Sequence, residues 1–224
     1  MNRANVARPI LWNYHLSTCS WRVRIALSLK AIDYEYRAVD LLSKKGGDQF
    51  STQFTKLNPK QEVPILLIDN NLFTQSIPII EYLDDTRTSG TKLLSSDPVK
   101  RAKSKIIAEL INSGIQPYQN ANVIKKINVQ MGKVKRIEWL NFYLNKGLKA
   151  LEANLKNTKG RYCVGDEISI ADLCLVPQVY AAKRYKIDVT KYPLINSVNL
   201  ELEILPSFIK AHPDNQPDSL KNNN

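Results

Sequence analysis

Ile10-Leu11-Trp12-Asn13-Tyr14, followed after two residues by Ser17-Thr18-Cys19-Ser20-Trp21-Arg22-Val23-Arg24-Ile25, is the stretch from which the architecture of this chain can be read. The first run alternates, with Ile10, Trp12 and Tyr14 on one face, and predicts a short strand. The second sets three hydroxyls and one thiol ahead of Trp21, Ile25 and Leu29, whose spacing of four predicts an amphipathic helix over Trp21 to Lys30. A helix N-terminus presents unpaired backbone N–H groups and a partial positive charge. Such a place stabilises a thiolate, whether it belongs to the protein or to a ligand.

Working outward, strand and helix signals keep alternating through the first ~85 residues. Tyr34 to Val39 alternates again as a strand, and Lys44 to Leu57 is polar, opened by Gly46-Gly47, with an irregular or helical body. Pro64 to Ile68 is a short apolar strand, Asp69-Asn70-Asn71 a turn, Leu72-Phe73 the start of a return strand, and Gln75 to Asp84 a helix. The order β-α-β-α-β-β-α predicts two parallel strands joined by a helical crossover and a final antiparallel hairpin. The sum is a mixed four-stranded sheet with helices on its faces.

Asp85 to Ser96, rich in Thr, Ser and Gly, reads as a linker. Beyond it the period is helical. Asp97-Pro98 is an N-cap followed by a proline in the first turn, and Ile106, Ile107, Leu110 and Ile111 are expected on one face. Ile137, Leu140, Leu144, Leu148, Leu151 and Leu155 are expected to form the core face of a long helix. Ser169-Ile170-Ala171-Asp172 has the form of a capping box, opening a helix from Ala171 to Tyr185 that is apolar almost all round and so expected to be buried. The chain thus reads as an α/β domain over residues 8–88 and an all-α domain over residues 97–218.

Composition narrows the function classes. The 224 residues suffice for one or two domains with a proper core, and 43% hydrophobic with 24% charged residues is ordinary for a soluble globular protein. No apolar run reaches the ~18 residues of a membrane span, and Met1 to Pro9 lacks the apolar stretch of a secretory signal, although Arg3 and Arg8 without an acid leave a short mitochondrial presequence open. Lys221-Asn222-Asn223-Asn224 matches no common address signal. Three cysteines, Cys19, Cys163 and Cys174, without paired spacing argue against a disulfide scaffold and against zinc. The two histidines, His15 and His212, are too few for a metal cluster. No metal and a reducing, cytoplasmic compartment are therefore expected. The net charge of +11 is spread along the chain; its densest stretch, Lys125 to Arg136, lacks interleaved aromatics and any nucleic-acid motif. It reads as a solvated face, with attraction of small anions as the functional alternative and no nucleic-acid or membrane partner.

The chemistry points to a thiol peptide. In a thioredoxin-type domain the first loop–helix junction is the reactive corner, and two-thiol exchange there needs Cys-x-x-Cys. Cys19-Ser20-Trp21-Arg22 excludes it. Val63-Pro64, entering the third strand, suits a cis bond that would turn the Val63 main chain outward for an extended peptide. Gln75-Ser76, at a helix start, offers N–H groups and a hydroxyl to a carboxylate. Glutathione, with a thiol at one end and a carboxylate at the other, fits that slot.

These residues resemble the zeta-class glutathione transferases, also called maleylacetoacetate isomerases. The match runs from about residue 8 to 218 and is carried by Ser17 to Leu27, Leu57-Asn58-Pro59 with Val63-Pro64, and Gln75-Ser76 with Ile79 to Leu83. It continues through Ser113 to Pro117 with Gln119-Asn120, Tyr162 to Glu167, Ala171 to Val179, and His212-Pro213 with Gln216-Pro217-Asp218. The resemblance implies the glutathione transferase fold, a thioredoxin-like domain followed by an all-α domain, assembled as a homodimer. It implies glutathione-dependent cis–trans isomerisation of maleylacetoacetate to fumarylacetoacetate, in phenylalanine and tyrosine breakdown, with transfer to small electrophiles such as α-haloacids.

By that resemblance Ser17 takes the place of the hydroxyl that bonds the glutathione sulfur and Cys19 that of the active-site cysteine, with Thr18 between them completing the catalytic set. Ser20, Trp21 and Arg22 complete the glutathione-binding motif, and Gln49, Val63, Gln75 and Ser76 match positions that hold the peptide. Gln116 and Asn120 match positions toward both glutathione and the second substrate, and Arg184 a basic residue for a substrate carboxylate. Two places depart from the family's pattern: Thr18 replaces a serine, adding a methyl and stiffening χ1, and residues 123–148 match poorly. Plainer readings stand beside these. Ser17 and Thr18 also suit helix caps, Cys19 a small packed residue, Gln116 a helix-end hydrogen-bonder and Arg184 a surface ion pair. A general detoxifying transferase and a non-catalytic interaction module are the rival functions.

Overall fold

The structure, a computed structural model, describes residues 8–43 and 46–219. Arg3, Lys44 and residues 221–224, which carried expectations above, lie outside the described residues.

The chain forms two compact units: one contains the described residues up to Thr91 and from Pro206 onward, the other Lys92–Leu205. The first is built from β1 (Ile10–Asn13), α1 (Thr18–Leu29), β2 (Glu35–Ala38), α2 (Thr52–Leu57), β3 (Ile65–Ile68), β4 (Asn71–Thr74) and α3 (Ser76–Thr86). The sheet runs β2-β1-β3-β4, with β1 and β2 parallel and the β1–β3 and β3–β4 pairs antiparallel. This is the mixed thioredoxin-like sheet expected from the β-α-β-α-β-β-α order. Leu11, Ile65 and Leu66 from the sheet and Val23, Ile25, Leu27, Ile79, Ile80 and Leu83 from the helices are fully buried. One ion pair sits inside this packing. Lys30 Nζ lies 2.7 Å from Asp84 Oδ1 and donates to the Arg87 carbonyl, tying the end of α1 to α3.

The helical unit holds α4 (Pro98–Gly114), α5 (Ala121–Leu155), α6 (Ile170–Arg184) and α7 (Pro193–Glu203). Asp97 caps α4 by accepting from the Val99 and Lys100 N–H groups, as its sequence predicts. At the start of α6 the buried Asp172 carboxylate accepts from the Ser169 N–H and hydroxyl and from the Cys163 N–H. Burial nevertheless raises its pKa. As expected, α6 is buried along nearly its whole length.

Two expectations about helix faces are corrected. Ile106 and Ile137 are exposed, while Ile107, Ile111, Leu140, Leu144, Leu148, Leu151 and Leu155 are buried. Ile106 and Ile107 stand ~100° apart on a helix, and here Ile107 takes the core side. Ile137 lies just beyond Gly132, whose φ of 82° and ψ of 171° break α5, so the core stripe begins at Leu140. The stretch read as a linker is partly built in: Leu93 and Leu94 are buried, and the Leu93 carbonyl accepts from the Ile170 N–H. The last helix, α8 (Pro206–Ala211), packs on α1, so residues 206–219 group with the α/β unit and not with the expected 97–218 span.

Candidate active site

Strand registers gather the candidate residues of the α/β unit at one end of the sheet. Ile65, the first residue of β3, pairs with Trp12 near the end of β1 and with Thr74 at the end of β4, and Ala38 at the end of β2 pairs with Asn13. The Tyr14–Ser17 turn, Val63, Gln75-Ser76 and the loop after β2 therefore all leave or enter the sheet at this edge. The Val63–Pro64 peptide is cis, and Val63 stands outside the β3 ladder.

Helix α1 begins at Thr18, earlier than Trp21, because Ser17 caps it. Ser17 is extended (φ −68°, ψ 116°), its carbonyl takes the first helical bond from Trp21, and its Oγ accepts from the Ser20 N–H at 3.2 Å. That geometry uses an acceptor lone pair and leaves the hydroxyl proton for donation to a ligand. The Thr18 and Cys19 N–H groups fall in the first turn, where no intrahelical partner exists. Ser17, Thr18 and Cys19 are half-buried, whereas Ser20, Trp21 and Arg22 are buried. Arg22 supports a neighbouring site residue, because its Nη1 donates to Ser76 Oγ at 3.1 Å.

Gln75 holds φ 68° and ψ 127°, a conformation that L residues rarely adopt and that costs on the order of 1–3 kcal/mol. Its exposed side chain and the buried Ser76 open α3 at the same sheet edge. Gln49 is buried, its Nε2 reaches the Leu41 carbonyl, and its Oε1 has no hydrogen-bond partner among the described residues. A buried acceptor without a partner is the kind of group a ligand satisfies. Gly47, with φ 112°, makes room for it: a Cβ there would lie 2.5 Å from Gln49 Oε1.

Sequence reasoning missed Arg24. It is buried and donates to four acceptors: Asn13 Oδ1 at 3.0 Å and the carbonyls of Tyr14 at 3.3 Å, His15 at 2.9 Å and Ala211 at 3.1 Å. Desolvation lowers its pKa to about 10, which leaves it charged at neutral pH. Two arginines, Arg22 and Arg24, among the apolar residues of one helix segment were the available signal.

In the helical unit, Gln116 opens a short 3₁₀ turn, Gln116–Gln119, and Asn120 caps α5 by accepting from the Asn122 N–H. The turn is pinned from two helices. Trp139 Nε1 donates to the Tyr118 carbonyl, and the Gln119 and Gln178 amides bond each other in both directions at 3.0 and 3.1 Å. Tyr185, next to the exposed Arg184 that ends α6, donates its hydroxyl to the Gln119 carbonyl. Gln116, Asn120 and the end of α6 are thereby brought together. Among the described residues no group of His, Cys, Asp and Glu is arranged to hold a metal.

Sequence models of the glutathione S-transferase N-terminal domain and C-terminal domain match residues 16–86 and 141–201. A maleylacetoacetate isomerase of Mus musculus is 49% identical over 212 residues, covering 95% of both chains. A zeta-class glutathione S-transferase of Euphorbia esula is 39% identical over 98% of this chain and 96% of its own. The solved maleylacetoacetate isomerase of Anaeromyxobacter dehalogenans 2CP-1 with bound GSH in its active site superposes with a TM-score of 0.85 at 38% identity, covering 95% of this chain and 98% of that one. With the sheet order, the capped α1 and the motif set already in place, this chain belongs to the glutathione S-transferase family, in its zeta class.

Proposed function

We propose that this protein is a glutathione-dependent maleylacetoacetate isomerase. The observation that carries the reading is the Ser17 hydroxyl, which caps α1 while keeping its proton, at the sheet edge shared with Val63, Gln75 and Ser76. Glutathione fits these residues, and the buried Oε1 of Gln49, without a partner among the described residues, supports the fit. When bound, glutathione supplies the thiolate that adds reversibly to the cis double bond, lets it rotate and leaves again.

The chain's own residues do the rest. Ser17 donates to the sulfur, and the first-turn N–H groups of Thr18 and Cys19 add positive potential, so the charged form of the thiol is favoured and its pKa falls. The Val63 main chain, Gln49, Gln75 and Ser76 hold the peptide. Arg22 orients the Ser76 hydroxyl by donating to its oxygen, which leaves the Ser76 proton for a carboxylate. Gln116, Asn120 and Arg184 are assigned to the second substrate, with Arg184 taking a carboxylate. The same arrangement is proposed to serve transfer to small α-haloacids, which carry one carboxylate beside an electrophilic carbon. A homodimer in the cytoplasm completes the reading, supported by family membership. No helix among the described residues is long and apolar enough to cross a membrane.

The test is turnover of maleylacetone with glutathione. Fast isomerisation with glutathione unconsumed is expected. Tight glutathione binding without turnover would assign the chain to another electrophile, as a detoxifying transferase.

A further inference from the structure

We propose that Asp218 is a positioning residue of the thiol site, fixing the main chain of the Tyr14–Ser17 turn and through it the Ser17 hydroxyl. The inference rests on the reading above that Ser17 holds the thiolate. The structure brings the motif His212-Pro213-x-x-Gln216-Pro217-Asp218 back to the first strand and the turn that follows it.

Asp218 Oδ2 accepts the His15 N–H at 3.0 Å, and its Oδ1 accepts the Tyr36 hydroxyl on β2. The carbonyl of His15 is taken by Arg24, and that of Tyr14 by Arg24 and by the Ser17 N–H at 3.0 Å. The turn is thus gripped from two sides. Arg24 reaches it from the helix the turn launches, and Asp218 reaches it from the far end of the chain. Without Asp218 the His15 N–H, on a buried residue, loses this acceptor and the turn loses one of its two grips. The segment bearing Asp218 is itself held. The Ala211 carbonyl accepts from Arg24, His212 packs edge-on against Trp21 at 5.2 Å, and Gln216 Nε2 donates to the carbonyls of Lys210 and His212. Tyr36 stays a donor, since burial and its bond to Asp218 hold the phenol well above its ordinary pKa. A charge-assisted pair of hydrogen bonds of this kind fixes geometry, and donors at a reacting atom lose effect when displaced by ~1 Å.

The experiment compares D218A, D218N and Y36F with the wild type on two readouts. One is the pKa of the bound glutathione thiol, from the ultraviolet absorbance of the thiolate during pH titration. The other is amide hydrogen exchange of the segment from Tyr14 to Trp21 in the protein without glutathione. D218A is expected to raise the bound thiol's pKa by about one unit, lower kcat/KM roughly ten-fold at neutral pH and speed exchange in that segment. D218N, whose amide can accept from His15 and bond Tyr36, should keep all three near wild type. If D218A does not fold, Y36F carries the test with a smaller shift in the same direction. A folded D218A, or failing that Y36F, that binds glutathione with the wild-type thiol pKa would overturn the proposal. A wild-type protein that shows no bound thiolate would overturn the functional reading instead.

Discussion

Replacing Ser17 separates two contributions that one side chain makes. As a cap it accepts from the Ser20 N–H at 3.2 Å, and losing that bond in Ser17→Ala costs about 1 kcal/mol. For a chain of this size that lowers the melting temperature by roughly 2–4 °C. As a donor to the sulfur it is one preorganised hydrogen bond aimed at charge, worth about 10²–10³ in rate. Ser17→Asp isolates the second contribution. Aspartate caps a helix as well as serine does, so stability should hold. A carboxylate beside a thiolate raises the thiol's pKa, so turnover should fall at least as far as in Ser17→Ala. The assay is glutathione-dependent isomerisation of maleylacetone across a pH series, with thermal unfolding of the same samples. In Ser17→Ala the loss should be largest near neutral pH and shrink on the alkaline side, because the raised thiol pKa is there overtaken by pH. An active Ser17→Asp protein, or a destabilised Ser17→Ala protein with wild-type kcat/KM at neutral pH, would refute the assignment.

Arg24→Met should destabilise the α/β unit by about 3–5 kcal/mol, since the buried Asn13, His15 and Ala211 acceptors lose the Arg24 donor together while the Tyr14 carbonyl keeps the Ser17 N–H; denaturant unfolding measures it. A thiol reagent should label Cys19 alone in the native protein, with glutathione protecting it. Cys163 and Cys174 are fully buried, burial holds the Cys163 thiol well above its ordinary pKa, and mass spectrometry should find both labelled only after unfolding. Arg184→Ala should raise KM for dicarboxylate substrates with kcat little changed, and an equal loss with an uncharged electrophile would argue against a carboxylate contact.

Much of the α/β unit was legible because its signals are local. Alternation marked the strands, the spacing of Trp21, Ile25 and Leu29 marked α1 although Ser17 caps it ahead of Trp21, and Asp69-Asn70-Asn71 lay at the hairpin, where Asp69 and Asn70 take positive φ. The helical faces were less legible. Apolarity placed Ile106 and Ile137 in the core, yet neighbouring positions on a helix point ~100° apart, and the break at Gly132 changes the face in α5. The site divides in the same way. Ser17, Cys19, Val63, Gln75 and Ser76 announce themselves by residue type beside a turn or a helix start. Arg22 belongs to the same motif, but its bond to Ser76, 54 residues away, appears only in the fold.

The sequence by itself determined the order of elements, the family and the motif proposed to face glutathione, because each depends on near neighbours and on residue type. Only the tertiary structure decided what supports that motif. Arg24 serves the Tyr14 and His15 carbonyls, Arg22 serves Ser76, Gln119 pairs with Gln178, and Asp218 closes on His15 and Tyr36. Buried polar groups must find partners wherever the fold places them, and most of these partners lie far away along the chain, where no local pattern records them.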